Sequence, residues 1–184
     1  MADPVLHLIA GPNGSGKSTL YERVIGPVTR LEFVNADLIA ARRWPKTQAA
    51  RSYDAAALAA KRRQALIASR RSFATETVFS HPSKLELIRD AARAGYLVFL
   101  HVVIVPEELA VARVSSRVRA GGHAVPEEKV GQRYHRLWPL VSEAIGLVDS
   151  GTVYDNSRAQ RPFRVVARFE RGVPVGSPDW PPWS

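Results

Sequence analysis

Val5-Leu6-His7-Leu8-Ile9-Ala10-Gly11-Pro12-Asn13-Gly14-Ser15-Gly16-Lys17-Ser18-Thr19 is the stretch on which the fold turns. Its apolar start, Val5–Ala10, predicts a short strand, and residues 11–18 match the spacing G-x-x-x-x-G-K-[ST]. A helix is expected to open at about Lys17. Glycines let the backbone wrap closely around an anion, so that successive N–H groups point inward with the positive end of the helix behind them. Gly11, Pro12, Asn13, Gly14, Ser15, Gly16, Lys17, Ser18 and Thr19 are therefore expected to bind ATP. Lys17 would reach the β- and γ-phosphates and Ser18 would ligate Mg²⁺. The plainer alternative is a glycine turn that only caps a helix, and the flanking strand and helix argue against it.

Outward from this loop, strands and helices alternate. Residues 31–34, 73–78, 96–105, 151–155 and 163–169 read as strands. The alanine-rich segment 51–71 reads as a long helix whose end carries Arg70 and Arg71, cations that suit a helix C-terminus. Leu85, Ile88 and Ala92 fall at helical spacing before Gly95, and residues 107–119 form a further helix. Val130, Tyr134, Leu137, Val141, Ile145 and Val148 repeat along one helical face, with a kink expected at Pro139. The pattern predicts an α/β fold of the P-loop NTPase type: a three-layer α/β/α sandwich with a mostly parallel central sheet and a helical, arginine-rich lid. Residues 1–176 are expected to be a single P-loop kinase domain with its lid at about 107–137. Residues 177–184, rich in Pro and Trp, form a tail that cannot be regular structure.

Composition narrows the partners. Among 184 residues, Lys plus Arg number 26 against 17 Asp plus Glu, a net charge of +9 that suits anionic ligands. The absence of cysteine excludes disulfides, thiolate catalysis and cysteine-ligated zinc. No apolar stretch reaches membrane-spanning length, and residues 1–10 fit neither a secretory signal nor a transit peptide, so no membrane association and a cytoplasmic location are expected.

In a doubly wound sheet, ligands sit at the carboxyl ends of the strands. Asp37 ends the second strand and can take or orient the proton of a substrate hydroxyl, as a kinase requires, or can cap a helix beginning at Leu38. Glu76 ends the third strand, where it could meet a substrate hydroxyl or a Mg²⁺-bound water, or pair with a surface cation. The strand at 96–105 holds no acid, which leaves the second metal ligand open. Arg113 and Arg117 share one predicted helix face, Lys129, Arg133 and Arg136 the next, with Gly121-Gly122-His123 between them. Two such faces about a glycine hinge can close over a triphosphate, or can be solvated surfaces. Asn156 could read an adenine edge or serve in a turn.

Together these residues resemble the zeta toxin family of P-loop kinases, in particular its shorter members, over about residues 5–170. The elements are the loop 11–19, Asn35-Ala36-Asp37, Glu76-Thr77, the stretch 117–126, Arg133-Tyr134 and Tyr154-Asp155-Asn156-Ser157. The resemblance implies a kinase that moves the ATP γ-phosphate to a hydroxyl of a nucleotide sugar such as UDP-N-acetylglucosamine. It further implies Asp37 as base, Glu76 and Thr77 as substrate-binding residues, Arg117 on the transferred phosphate, and an antitoxin protein as a partner. The chain lacks the long C-terminal extension of the large toxins. It also has Gly122 and His123 near the place of their second lid arginine, whose role falls to Arg133. Alternatives are a kinase for another small metabolite or for a nucleic-acid end, or a non-catalytic ATP-binding regulatory module. Against nucleic acid stands the lack of an interleaved aromatic and basic stretch.

Overall fold

The computed structural model describes residues 2–119 and 127–184. Its strands are β1 (Val5–Ala10), β2 (Glu32–Val34), β3 (Phe73–Thr77), β4 (Leu97–Ile104), β5 (Ser150–Asp155), β6 (Arg164–Glu170) and β7 (Val173–Pro174). They form one seven-stranded sheet in the order β2-β3-β1-β4-β5-β6-β7. The first five in that order are parallel, and β6 and β7 add antiparallel at one edge. This is the mostly parallel α/β sheet of the P-loop NTPase type that the alternating pattern predicts, with the two-residue β7 as an unforeseen addition.

Register explains why the sheet makes a site. Ala10, the last residue before the glycine loop, lies beside Thr77 of β3 on one side and Val102 of β4 on the other. Ile9 lies beside Glu76. Both residues at the end of β3 are thus delivered to the mouth of the loop by backbone pairing alone.

The helices are α1 (Lys17–Leu20), α2 (Gly26–Thr29), α3 (Ala36–Arg43), α4 (Ser52–Ala68), α5 (Ser83–Arg93), α6 (Glu107–Arg119) and α7 (Glu127–Ile145), with a wider π-helical turn, Tyr21–Ile25, between α1 and α2. One sheet face buries Leu6, Leu8, Phe73 and Leu100 against Leu66 of α4, Ile88 of α5 and Leu137 of α7. Each fully buried side chain of this kind contributes about 1.5–3 kcal/mol relative to exposure. On the other face, Ile9 and Val103 pack with Leu20 and Ile25 from the segment that follows the loop.

Local differences from the sequence expectations have physical causes. Helix α4 stops at Ala68 because Arg70 adopts a left-handed backbone, φ 51°, and its guanidinium then reaches across to the Ala94 carbonyl. Helix α7 holds Pro139 inside it and runs to Ile145, so Val148, expected on its apolar face, lies beyond its end. The tail has no regular structure but is tied to its own sheet: Asp179 N–H donates to the Val166 carbonyl at 2.7 Å, the Asp179 carboxylate pairs with Arg164, and Trp183 packs on the core. Residues Gly121, Gly122 and His123, the expected hinge, lie outside the described residues together with the rest of 120–126. Among the described residues, no helix is long and apolar enough to cross a membrane.

Candidate active site

The loop after β1 needs glycine at two points in particular. Gly14 and Gly16 have φ of 79° and 96°, and Gly16 is the residue from which α1 starts. A Cβ on Gly14 would stand 2.6 Å from the Ala110 carbonyl oxygen, and one on Gly16 would stand 2.5 Å from Asn156 Nδ2. The loop is therefore wedged between α6 and the end of β5 as well as curled on itself. Asn13 Oδ1 and Ser15 Oγ are buried without a hydrogen-bond partner among the described residues. Unpaired buried polar atoms are costly, and Asn13 borders the cavity together with Gly14, Gly16, Lys17 and Ser18, a lining whose polarity fits an oligophosphate.

Lys17 is only 8% exposed, and its Nζ donates to the Pro12 carbonyl at 2.9 Å. Burial pushes its pKa below the usual lysine range; the charges of Glu76 and Asp37 act in the opposite direction, and that of Arg117 adds to the lowering. An anion brought into the cradle would stabilise the ammonium. Ser18 Oγ donates to Glu76 Oε2 at 2.8 Å, which sets a hydroxyl and a carboxylate side by side. Burial raises the Glu76 pKa, and the Lys17 charge and the Ser18 hydrogen bond oppose that rise. Hard oxygen donors of this kind suit Mg²⁺, which takes one or two protein oxygens and completes its shell with water and phosphate.

Asn35 Oδ1 accepts from the N–H groups of Asp37 at 2.7 Å and Leu38 at 3.1 Å, and so caps α3. The alternative in which Asp37 caps a helix starting at Leu38 is thereby corrected: Asn35 does the capping, and Asp37 sits in the first turn. Its exposed carboxylate makes no ion pair among the described residues and lines a cavity of about 980 Å³ shared with Lys17 and Ser18. Glu76 and Thr77 line the same cavity, as do Arg117, Lys129 and Arg133. Arg136, expected on the same face as Arg133, is not among the lining residues.

Two expected roles shift. Arg113 donates to the Gly14 carbonyl at 3.4 Å and to the Asn156 carbonyl at 3.0 Å, which makes it a brace between the loop and the end of β5. Asn156 donates through Nδ2 to the Ser15 carbonyl at 2.8 Å, so the donor expected for an adenine edge is engaged with the loop. Tyr134 Oη donates to the Val105 carbonyl at 2.9 Å and fixes α7 beside the end of β4, next to Arg133. Sequence reasoning missed the part of the cavity lining that comes from Ser52, Tyr53, Ala56 and Arg63 of α4 and from Ser80 and Lys84. The four-residue steps from Ser52 to Ala56 to Ala60 were the available signal.

Comparison with known proteins agrees with this architecture. The sequence model of a family described as an AAA domain, AAA_33, matches residues 6–139, more than half of the chain. The chain belongs to this family. An uncharacterized protein of Haemophilus influenzae is 30% identical over 125 residues, covering 67% of this chain and 88% of its own length. Among solved structures, AvrRxo1-ORF1:AvrRxo1-ORF2 with sulphate ions aligns at a TM-score of 0.73 and 16% identity over 95% of this chain. The same pair with ATP aligns at 0.72 and 16% over 95% of this chain. This AAA domain spans about three-fifths of the matched AvrRxo1 chain, 61% and 60% in the two structures. The PezAT chromosomal toxin-antitoxin system of Streptococcus pneumoniae aligns at 0.64 and 13% identity, covering 91% of this chain and 72% of that one. At these identities the likeness is one of fold.

Proposed function

We propose that this protein is an ATP-dependent small-molecule kinase of the zeta toxin type, which transfers the γ-phosphate to a hydroxyl of a nucleotide sugar such as UDP-N-acetylglucosamine. One juxtaposition carries the reading: the exposed carboxylate of Asp37, which makes no ion pair among the described residues, lines the same cavity as Lys17 and Ser18 of the phosphate loop. The loop N–H groups and Lys17 hold the β- and γ-phosphates, while Asp37 accepts the proton of the acceptor hydroxyl. The acceptor oxygen forms its bond to the γ-phosphorus as the bond to the β-bridging oxygen breaks, and ADP leaves. Ser18 with Glu76 beside it would hold Mg²⁺, which would neutralise charge on the phosphates. Arg117 and Arg133 approach from α6 and α7 and offset the charge that grows on the transferred group. Thr77 and Glu76 border the acceptor.

The test is ADP release with ATP alone and with pooled nucleotide sugars, followed by mass analysis of the products. A mass gain of one phosphate on a sugar hydroxyl supports the kinase. ATP turnover indifferent to every acceptor would replace it with an ATPase or a nucleotide-binding regulatory module. The zeta-like part of the reading includes an antitoxin partner and predicts growth arrest on expression, relieved by Lys17→Ala. Growth unaffected by the active enzyme would leave a metabolic kinase.

A further inference from the structure

Arg62 and Arg63 are neighbours on α4 with opposite circumstances. Arg62 is exposed and forms a two-point ion pair with Glu32, at 2.6 Å and 2.7 Å. Arg63 is half-buried, lines the cavity, and has no hydrogen bond or ion pair among the described residues. Lys84, in the first turn of α5, is also half-buried on the same cavity and likewise has no carboxylate partner among the described residues. Burial lowers the pKa of each, and the Arg63 charge lowers that of Lys84 further, so the two cations repel one another across a shared space.

A half-buried charge without a partner destabilises a fold, and a second like charge beside it adds to the cost. The acids that line this cavity, Glu22, Asp37 and Glu76, form no ion pair with Arg63 or Lys84 among the described residues. Ala56 and Ala60 lie between Arg63 and the start of α4, so small side chains leave room along the helix for a ligand to extend from the Asp37 side toward the two cations. The planar fork of Arg63 can engage two oxygens of one phosphate, and the ammonium of Lys84 can meet a third.

We propose that Arg63 and Lys84 form an anion subsite that binds a phosphate group of the acceptor, which makes the acceptor a phosphorylated, hydroxylated metabolite. The word acceptor rests on the kinase reading; the binding of phosphate at this place does not.

The test separates the two. The full chain is saturated with Mg²⁺ and the non-hydrolysable ATP analogue AMP-PNP, which occupies the phosphate loop, and inorganic pyrophosphate is then titrated calorimetrically into wild type, Arg63→Gln and Lys84→Gln. Wild type should bind pyrophosphate at a second site, and each variant should bind it at least about tenfold more weakly. AMP-PNP affinity serves as the folding control. Without ligand, both variants should melt no lower than wild type, because an unpaired cation has been removed; a merely structural arginine or lysine would lower the melting temperature instead. Transfer is then measured to N-acetylglucosamine, its 1-phosphate and UDP-N-acetylglucosamine, which carry no phosphate, one and two. The variants should raise KM for the phosphorylated acceptors by more than they change kcat. Equal pyrophosphate binding by wild type and variants, no second site in wild type, or a neutral sugar used as well as its phosphates would overturn the subsite. Discriminating pyrophosphate binding with no transfer to any acceptor would uphold the subsite and refute the kinase.

Discussion

Ser18 Oγ and Glu76 Oε2 stand 2.8 Å apart, joining the first turn after the phosphate loop to the end of the neighbouring parallel strand. The contact follows from strand order: β3, not β4, lies beside β1 on the side where α1 begins, and Ile9 pairs in register with Glu76. Strand β4 carries no acid, and the carboxylate beside Ser18 comes from β3, the other neighbour of β1.

Glu76→Gln should therefore act through the metal. The amide keeps the volume and one acceptor but loses the negative charge that the cation and Lys17 both face. Transfer is expected to fall about a hundredfold or more, with a rise in the Mg²⁺ concentration needed for half-maximal rate. Rate measured across a Mg²⁺ titration checks this, and an unchanged Mg²⁺ dependence would return Glu76 to acceptor binding.

Asp37→Asn separates basicity from position. Asn35 holds the start of α3 by itself, so the substitution should leave the fold intact. ATP binding is expected to persist while transfer drops by about two to four orders of magnitude. Equilibrium ATP binding beside single-turnover transfer is the measurement. A parallel collapse of ATP affinity would assign Asp37 to the metal or to the loop.

Much of this site was legible because the decisive signals are local. The run from Val5 to Thr19 contains strand, loop and helix start in one piece, and Glu76 lies at the end of a strand that periodicity identifies, whereas Asp37, expected to end β2, stands in the first turn of α3 just beyond it. What stayed hidden depends on which strands and helices become neighbours. Arg113 reads as one more cation on a helix face until α6 is seen against Gly14 and Asn156. Arg63 is indistinguishable in sequence from Arg62 until burial and Glu32 divide them. The Asn35 cap was obscured because Asn and Asp, two residues apart, are both good caps.

On the sheet face away from α4 and α7, His7 Nδ1 lies 2.9 Å from His101 Nε2, and His101 Nδ1 lies 3.2 Å from Tyr154 Oη. Burial and the neighbouring His7 hold the His101 pKa down to about 3, from 6.5 when free. Its neutral form therefore belongs to the fold, while the unfolded chain takes up a proton as pH falls through about 6.5. Stability is full above that pH and declines as pH falls toward 3, by at most about 1.4 kcal/mol per pH unit for one proton. His7, whose pKa is also lowered by burial, contributes in the same direction. Urea unfolding of wild type and His101→Gln at pH 7, 6, 5 and 4 should show a shallower decline in the variant. Parallel declines would mean that other groups govern the acid sensitivity.

The arginines of α6 and α7 should divide by what they touch. Arg113 bonds to the carbonyls of Gly14 and Asn156 and so shapes the loop, whereas Arg117 and Arg133 line the cavity without such a tie among the described residues. A group that preforms the cradle affects ground state and transition state alike, and its loss appears in nucleotide affinity. A group that meets charge only as the bond to ADP breaks appears in turnover. Arg113→Ala is accordingly expected to weaken ATP binding about tenfold and to lower the melting temperature. Arg117→Ala and Arg133→Ala are expected to lower kcat by about a hundredfold or more with a much smaller change in nucleotide Kd. Lysine should rescue Arg117 and Arg133 poorly, since it keeps the charge but loses the planar fork that engages two phosphate oxygens. The measurements are single-turnover transfer, equilibrium ATP binding and thermal unfolding on all five variants. If Arg117→Ala and Arg133→Ala turn over like wild type, both residues are solvated helix-face cations; if Arg113→Ala binds ATP normally, the loop holds its shape without the brace.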